Sequence, residues 1–142
     1  MTIRKRTSLI YLFIVSLVAC SQSNSKIDEK NDVIAKGHEI SNLHKFEKFV
    51  TNVEKGDRDK IRIVNYTDEG DPIFQTLEYD GKAISYSLDS SYDKFAGKDE
   101  RIYSDTCKKV IKDIREDIRY TLHDCKKEID HNGYHLFSLP IK

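Results

Sequence analysis

The sequence predicts an α+β domain in which an N-terminal amphipathic helix packs on an antiparallel sheet of about five strands, with one disulfide. Three observations lead to this prediction. Apolar residues recur at helical spacing between residues 43 and 53. Stretches rich in β-forming residues follow, separated by turn signals such as Asp80-Gly81 and Asn132-Gly133. Cys107 and Cys125 supply the two sulfur atoms of the disulfide.

The N-terminal residues have the features of an export signal. Three basic residues, 4–6, lie near the start of the chain. The apolar run that follows, residues 9–19, is too short to span a bilayer core of about 30 Å comfortably. We therefore expect residues 1–19 to be a cleaved signal peptide. Residues 20–31 are polar and predict a flexible tether, and residues 32–142 form the single domain.

The end of this apolar run, Leu17-Val18-Ala19-Cys20, resembles the lipobox of bacterial lipoproteins. The resemblance implies a diacylglyceryl group on the sulfur of Cys20 and removal of the signal after Ala19. Two acyl chains hold a protein stably to a membrane, whereas one holds it only marginally. We therefore expect an extracytoplasmic lipoprotein that has the cell membrane as its partner through the lipid on Cys20.

The helix prediction rests on one apolar stripe and two end signals. Asn42 stands where an N-cap is expected, and Gly56 supplies a left-handed stop. A helix of about 13 residues would place the stripe on one face, which is more typical of a core than of a binding surface. The stripe consists of Leu43, Phe46, Phe49, Val50 and Val53. Residues 32–40, which precede it, suit either a short strand or an ordered lead-in.

Several later stretches have the composition of strands. Residues 60–67, 73–79 and 82–88 are rich in β-forming residues, and residues 134–141 suit a final strand. Residues 90–100 are polar and predict a loop.

The Asp80-Gly81 pair is a strong signal for a two-residue hairpin loop. Pairing about that loop would set Leu77 opposite Ile84 and Ile73 opposite Leu88. Both pairs fall on one face of the sheet, so the apolar pattern and the turn chemistry predict the same register.

The segment from Cys107 to Cys125 allows two structures. Its apolar residues fit a helical stripe, but a straight helix of this length would hold the two cysteines about 27 Å apart. A disulfide requires Cα atoms within about 7 Å of each other. A hairpin that turns near residues 115–117 would instead set Cys107 opposite Cys125 and Val110 opposite Leu122. Because two remaining cysteines in an exported chain predict a disulfide, we favour the hairpin.

Charge and composition exclude some classes of protein. The chain has 24 basic and 24 acidic residues. Removal of the signal peptide with its three basic residues leaves 21 basic against 24 acidic residues, so there is no basic excess to suggest a nucleic-acid partner. Only two prolines and six glycines argue against a disordered or fibrous chain.

From about residue 32 onward, the chain resembles a family of small lipoproteins of Gram-positive bacilli that carry an uncharacterised domain. The resemblance implies a lipoprotein with an α+β domain, but it implies no reaction. The residues that carry it are 42–43, 46–49, 59–67 (Asp-Lys-Ile-Arg-Ile-Val-Asn-Tyr-Thr), 69–73, 77–82 and 106–109, with Cys125.

Two groups of residues are candidate metal sites. Asp89, Ser91, Asp93 and Glu100 occupy ligand positions of a calcium loop, but Lys94 stands where that loop needs glycine, so a solvated loop is the better interpretation. A second group, consisting of Cys125 with His123, His131 and His135, matches no zinc-site spacing. We therefore predict no metal and no cofactor.

The sequence contains no catalytic motif of the nucleophile-elbow or zincin type, and we predict no catalytic residue and no enzyme activity. The tyrosines suit cross-strand packing, or a partner site if several lie on an open sheet face. The favoured hypothesis is a non-catalytic binding or accessory module of the cell envelope, with an envelope protein or small ligand as partner. The alternatives are a small extracytoplasmic hydrolase or metal-dependent enzyme, and an inhibitor or self-protection protein directed against a secreted enzyme.

Overall fold

The computed structural model describes residues 27–97, 101–127 and 132–141. These residues form nine strands in two sheets and one helix. The elements are β1 (Val33–Lys36), β2 (Glu39–Ser41), α1 (Leu43–Lys55), β3 (Asp59–Tyr66), β4 (Pro72–Tyr79), β5 (Ile84–Asp89), β6 (Ile102–Cys107), β7 (Lys109–Ile114), β8 (Asp117–His123) and β9 (Tyr134–Pro140).

The larger sheet has six strands in the order β2-β1-β3-β4-β5-β6. Strands β3 to β6 form an antiparallel meander. Strand β1 runs parallel to β3, because the chain makes a hairpin with β2 and then passes through α1 before it returns. This helical crossover is what a parallel neighbour in a sheet requires.

The smaller sheet is an antiparallel meander of β7, β8 and β9. A single residue, Lys108, separates β6 from β7, so the chain passes directly from one sheet to the other. Cys107 at the end of β6 is disulfide-bonded to Cys125, which lies just beyond β8. The predicted disulfide and the predicted hairpin are therefore confirmed, and Val110 pairs with Leu122 as expected.

The helix begins and ends where the sequence predicts, but the residue at its N-cap position does not cap it with its side chain. Asn42 adopts a left-handed conformation with φ of 58° and makes no side-chain cap. Its amide Nδ2 instead donates to the carbonyl oxygens of Glu29 and Asp32, at 2.9 and 2.7 Å. Gly56, with φ of 79°, closes the helix through its backbone N–H.

One face of the larger sheet, the core face, is covered by both α1 and the smaller sheet. Phe46 of α1 belongs to one buried cluster that also contains residues of the larger sheet and of the smaller sheet. The Phe46 ring contacts Tyr120 and Phe137 of the smaller sheet edge-on, with ring centroids 4.9 and 4.8 Å apart. The opposite face of the larger sheet, the second face, carries Val64 and Phe74, which lie outside that cluster.

The predicted α+β class is wrong, because the described residues are mostly β-structure with one helix of 13 residues. The prediction of a single sheet of about five strands includes neither β1 and β2, whose segment suits either a strand or a lead-in, nor β6, for which the sequence predicts no element. It also joined two sheets into one. The division depends on the change of direction at Lys108, which hydrophobic periodicity does not reveal, since both sheets alternate with the same period of two.

The register predicted for the β4–β5 hairpin is also wrong, by two residues. Leu77 pairs with Tyr86, and Ile84 pairs with Tyr79. The loop is longer than two residues because the carboxylate of Asp80 accepts the backbone N–H groups of Lys82 and Ala83, both at 2.8 Å. A shift of two keeps every side chain on its predicted face, so the apolar pattern alone does not detect it.

Within the described residues, no helix has the length and apolar character needed to cross a membrane. The residues Leu17–Cys20 and the predicted signal peptide, 1–19, lie outside the described residues. The cleavage site and the lipid on Cys20 therefore stay predictions, as does the proposed boundary between tether and domain.

Candidate binding groove

A groove of about 890 Å³ runs along the face of the smaller sheet that points away from the larger one. We call it the outer groove. Alternation along β8 explains why polar side chains line it: Tyr120 and Leu122 point into the core, so Thr121 and His123 point outward. Asp117 and Arg119 continue the same row.

Strand β9 supplies the neighbouring wall of the outer groove. His135 pairs with Thr121, beside a register shift between Tyr120 and Thr121. Such a bulge inserts one residue and re-aims the side chains next to it. Ser138 lies three residues further along β9, opposite Arg119. The bulge thus brings the side chains of His135 and Ser138 into reach of each other on one strand.

Two histidine–hydroxyl pairs lie on this surface. Nε2 of His123 lies 2.9 Å from Oγ1 of Thr121, and Nε2 of His135 lies 3.1 Å from Oγ of Ser138. Burial lowers the pKa of His135, and the positive charge of Arg119 lowers it further, while Asp117 opposes the shift. The imidazole of His135 is therefore mainly neutral at pH 7 and can both donate and accept a hydrogen bond.

Charges of both signs surround these pairs. Nε of Arg115 lies 2.9 Å from the Asp113 carboxylate, and Nη2 of Arg119 lies 3.7 Å from that of Asp117. Arg115 is 81 % exposed, and Asp113 is 43 % exposed. Exposed pairs of this kind contribute little to stability, so their side chains can exchange one partner for another at low cost.

Gly133 shapes the end of the outer groove. Its φ is +70°, and a Cβ atom on it would lie 2.1 Å from the carbonyl oxygen of Leu122 and 2.9 Å from the ring of His123. No residue with a side chain fits there without moving the backbone of β8. The Asn132-Gly133 pair, where the sequence predicts a turn, thus brings Gly133 directly against the imidazole of His123.

The groups of the outer groove can be compared with those of a nucleophilic catalytic site. Ser138 and His135 have the residue types of a catalytic nucleophile and its general base. A nucleophilic site of this kind also needs a third group that orients the base. Within the described part of the chain, no carboxylate is hydrogen-bonded to His135. The groove instead offers hydroxyl, imidazole, guanidinium and carboxylate groups side by side, which suits a polar ligand with both donors and acceptors.

A second polar group, the tyrosine–aspartate cluster, lies between the two sheets and consists of Tyr86, Tyr103, Asp105 and Tyr134. The Tyr134 hydroxyl donates to the Asp105 carboxylate at 2.7 Å and is also hydrogen-bonded to the Tyr103 hydroxyl. The rings of Tyr86 and Tyr134 stack at 4.9 Å. The backbone N–H of Lys127 completes the set by donating to Asp105 at 3.0 Å.

The pKa values of this cluster show how firmly it is held. Burial by itself raises the pKa of Asp105, but hydrogen bonds from Tyr134 and from the amides of Thr106 and Lys127 outweigh it and hold the pKa below its usual range. Burial raises the pKa of Tyr134, and its bonds to Tyr103 and Asp105 raise it further. The Asp105 carboxylate is therefore ionised, and its hydrogen bonds come from neutral hydroxyl and amide groups.

The same cluster adjoins the disulfide. A carboxylate oxygen of Asp105 and the sulfur atoms of Cys107 and Cys125 all lie within 4.8 Å of one another. Cysteine binds a metal ion as a thiolate, and these two sulfurs are bonded to each other, so the three residues do not form a metal site. The carboxylate and hydroxyl groups of the cluster point inward, and its role is to join the two sheets.

The residues weighed as metal ligands are dispersed or already engaged. The Asp89 carboxylate accepts the N–H of Ser91, and the Asp93 carboxylate accepts those of Phe95 and Ala96, as in ordinary loop turns. Glu100 and His131 lie outside the described residues.

Most tyrosines of the described residues lie in or against the core, as cross-strand packing predicts. Tyr79, Tyr86 and Tyr120 are buried in the core, and Tyr103 and Tyr134 pack against it. Tyr92 is 40 % exposed, and its ring packs edge-on against Phe74 on the second face.

Sequence reasoning missed the outer groove and Asp105. The signal for the groove was present, because polar residues alternate with apolar ones from Asp117 to His123. No local pattern in the sequence indicates that Asp105 is buried and hydrogen-bonded, because its partners Lys127 and Tyr134 are 22 and 29 residues away in the chain.

A sequence model of the domain of unknown function DUF4362 matches residues 30–121, so the chain belongs to that family. Neither the comparison with curated proteins nor the comparison with solved structures gives a match.

Proposed function

We propose that this member of the DUF4362 family is a lipid-anchored, non-catalytic binding module of the bacterial cell envelope. In this proposal Cys20 carries the lipid, and the outer groove binds a polar envelope ligand. The groove is the observation that carries the binding part of the proposal, since it places hydroxyl, imidazole and paired charged groups on one accessible surface.

The sequence supports the anchor. A positive start, a short apolar run and a cysteine after Leu17-Val18-Ala19 together have the pattern of a lipoprotein signal. We infer from this pattern that the mature protein begins at Cys20 and faces away from the cytoplasm. The disulfide agrees with this location, because disulfides form and persist in oxidising compartments outside the cytoplasm.

The ligand class follows from the balance of groups in the outer groove. Cationic and carboxylate side chains of the end of β7, the turn after it and the start of β8 lie side by side along the groove, so neither a highly anionic nor a highly cationic ligand has an advantage. Histidine and hydroxyl groups add neutral donors and acceptors. We infer a ligand that is hydroxylated or peptide-like and carries little net charge, such as a soluble fragment of the cell wall.

The anchor is tested by the intact mass of the protein extracted in detergent, compared with a Cys20→Ser variant. We expect the wild type to begin at Cys20 with added acyl mass and to fractionate with membranes, and the variant to lose both properties. A wild-type chain without acyl mass would refute the anchor.

The binding part is tested by calorimetric titration of the detergent-extracted protein with purified soluble muropeptides. Loss of the Arg119 guanidinium by Arg119→Gln should weaken binding by about tenfold or more, since a hydrogen bond to a charged group contributes about 1.5–3 kcal/mol. Lys60→Gln is the matched control, because Lys60 forms an exposed ion pair with Glu78 on the larger sheet. Equal affinity in both variants, or no heat with the wild type, would count against the groove.

A further inference from the structure

The second face of the larger sheet presents an exposed apolar surface next to its loop 90–97. Phe95 is 75 % exposed, Ile102 is 69 % exposed, and Tyr92 is 40 % exposed. Among the described residues, no helix or sheet packs on this face, because α1 and the smaller sheet both lie on the core face. The register places Ile102 on this face, and Tyr92 packs on Phe74 of the same face, with Phe95 three residues further along the loop. Exposed apolar residues that lie near one another mark an interaction site.

The apolar surface is held in a defined position. Tyr92 packs edge-on against Phe74 at 5.5 Å, which fixes the loop over the second face. The backbone N–H of Lys94 donates to the Asp71 carboxylate at 3.1 Å, and Lys94 Nζ lies 3.5 Å from the same group. The loop is closed at its base, where Ser90 donates its N–H to the carbonyl oxygen of Arg101 at 2.8 Å.

The N-terminal end of the domain reaches the same face. Asp32, just before β1, binds the Arg62 guanidinium through both carboxylate oxygens, at 2.9 and 2.7 Å. The Arg62 guanidinium carbon lies 5.1 Å from the centroid of the Phe74 ring, which in turn contacts Tyr92. A continuous series of contacts therefore leads from Asp32, through Arg62 and Phe74, to the loop.

The sheet register gives the distance between the two ends of this series. Paired residues form one row across the second face, in the order Ile34, Val64, Phe74, Asp89 and Ile102. Four steps between strands at about 4.8 Å each place Ile102 roughly 19 Å from Ile34. Ile34 lies only seven residues after Ile27, the first described residue.

Chain length then limits how far this face can be from the lipid. Ile27 is seven residues after Cys20, and covalent geometry allows a span of at most about 25 Å between them. A domain anchored at Cys20 thus has Ile27 within about 25 Å of the bilayer surface. Asp32, five residues further on, contacts both Arg62 of the second face and Asn42 at the start of α1, so the anchored end lies at the edge of this face. Since the apolar residues lie on this face too, one orientation brings them to the membrane.

We propose that the second face rests on the membrane surface, with Phe95 and Ile102 inserted into the lipid interface beside the anchor. This inference rests on the proposed lipid anchor. Acyl chains that hold the domain near the bilayer raise the local concentration of lipid around the apolar residues, which bind lipid too weakly to anchor the protein alone. The outer groove, which lies on the far side of the smaller sheet, would then point away from the membrane.

The absence of tryptophan from the chain allows a direct test with single reporters. Full-length protein with Phe95→Trp or Ile102→Trp is extracted in its acylated form and reconstituted into vesicles of phosphatidylcholine and phosphatidylglycerol. Ile114→Trp is the matched control, because Ile114 is an apolar side chain that is 59 % exposed but belongs to the smaller sheet. Vesicles with brominated acyl chains quench only a tryptophan that enters the lipid.

We expect the tryptophan emission of the Phe95→Trp and Ile102→Trp variants to shift to shorter wavelength and to lose about half its intensity in brominated vesicles, with no change for Ile114→Trp. An acylated protein whose three reporters behave alike would overturn this inference and leave the anchor intact. A chain without acyl mass would overturn both proposals, and mass spectrometry separates that case from the previous one. A wavelength shift that appears without lipid and grows with protein concentration would assign the face to a second copy, which also overturns the inference.

Discussion

The tyrosine–aspartate cluster and the outer groove are both built from polar side chains on the smaller sheet and its neighbours, yet they are organised in opposite ways. In the cluster, Asp105 is 7 % exposed and accepts hydrogen bonds from a hydroxyl and two backbone amides. In the groove, Arg115 is 81 % exposed, and its carboxylate partner, Asp113, is 43 % exposed.

The comparison shows how burial changes the role of the same chemical groups. A buried charge must be satisfied by fixed partners, and its removal leaves those partners unpaired. An exposed pair exchanges freely with water or a ligand, so it contributes little to folding. We therefore expect substitutions in the cluster to affect stability, and substitutions in the groove to affect binding.

The largest effect is expected from the disulfide beside the cluster. Replacement of both Cys107 and Cys125 by alanine should lower the free energy of unfolding by about 3 kcal/mol, because the bond closes a loop over a sequence separation of 18 residues. Urea unfolding measures the change. Wild-type protein under reducing conditions should match the variant, and equal stability of the reduced and oxidised forms would contradict the role of the bond.

Within the cluster itself, Asp105→Asn should destabilise the fold by roughly 1.5–3 kcal/mol at pH 7. Because the native pKa of Asp105 is below its unfolded value, its ionised form stabilises the fold above about pH 4, and this contribution is lost as the pH falls through the native pKa. The acid side of the wild-type stability profile should therefore be steeper than that of Asp105→Asn. Asp113→Asn is the exposed control, and an equal loss there would erase the distinction between cluster and groove.

Arg119→Gln in the outer groove should change the free energy of unfolding by no more than about 0.5 kcal/mol, because its contact with Asp117 is long and exposed. Thermal unfolding of the same variant that is used in the titration provides the measurement. A loss of stability as large as that of Asp105→Asn would show that the groove residue supports the fold.

The smallest effect concerns His135. Its pKa is lowered in the native state, so the unfolded chain binds a proton more tightly, and stability should decline as the pH falls below about 6.5 towards the native pKa. His135→Gln should flatten the stability profile between about pH 7.5 and about pH 5.5. His44→Gln, on the exposed side of α1, controls for the loss of a histidine as such, and a profile unchanged by His135→Gln would contradict the assignment.

Only part of the candidate site can be predicted from the sequence. The alternation in β8 predicts which residues point outward, but not that β9 lies beside them with His135 next to Thr121. That pairing includes a bulge, whose position depends on how the strand fits the core. Asp105 stands between polar residues on β6, and only the packing of β9 across the larger sheet brings Tyr134 to it.

The sequence by itself determined the local elements of this protein. The α1 stripe, its stop at Gly56 and the hairpin between Cys107 and Cys125 all follow from periodicity, backbone conformation or covalent reach, which involve residues close in the chain. The tertiary structure decided the rest: two sheets in place of one, a β4–β5 register two residues from the predicted one, and a buried carboxylate at Asp105. These features depend on contacts between distant segments, and a period of two is the same in every strand, so no local pattern distinguishes the alternatives.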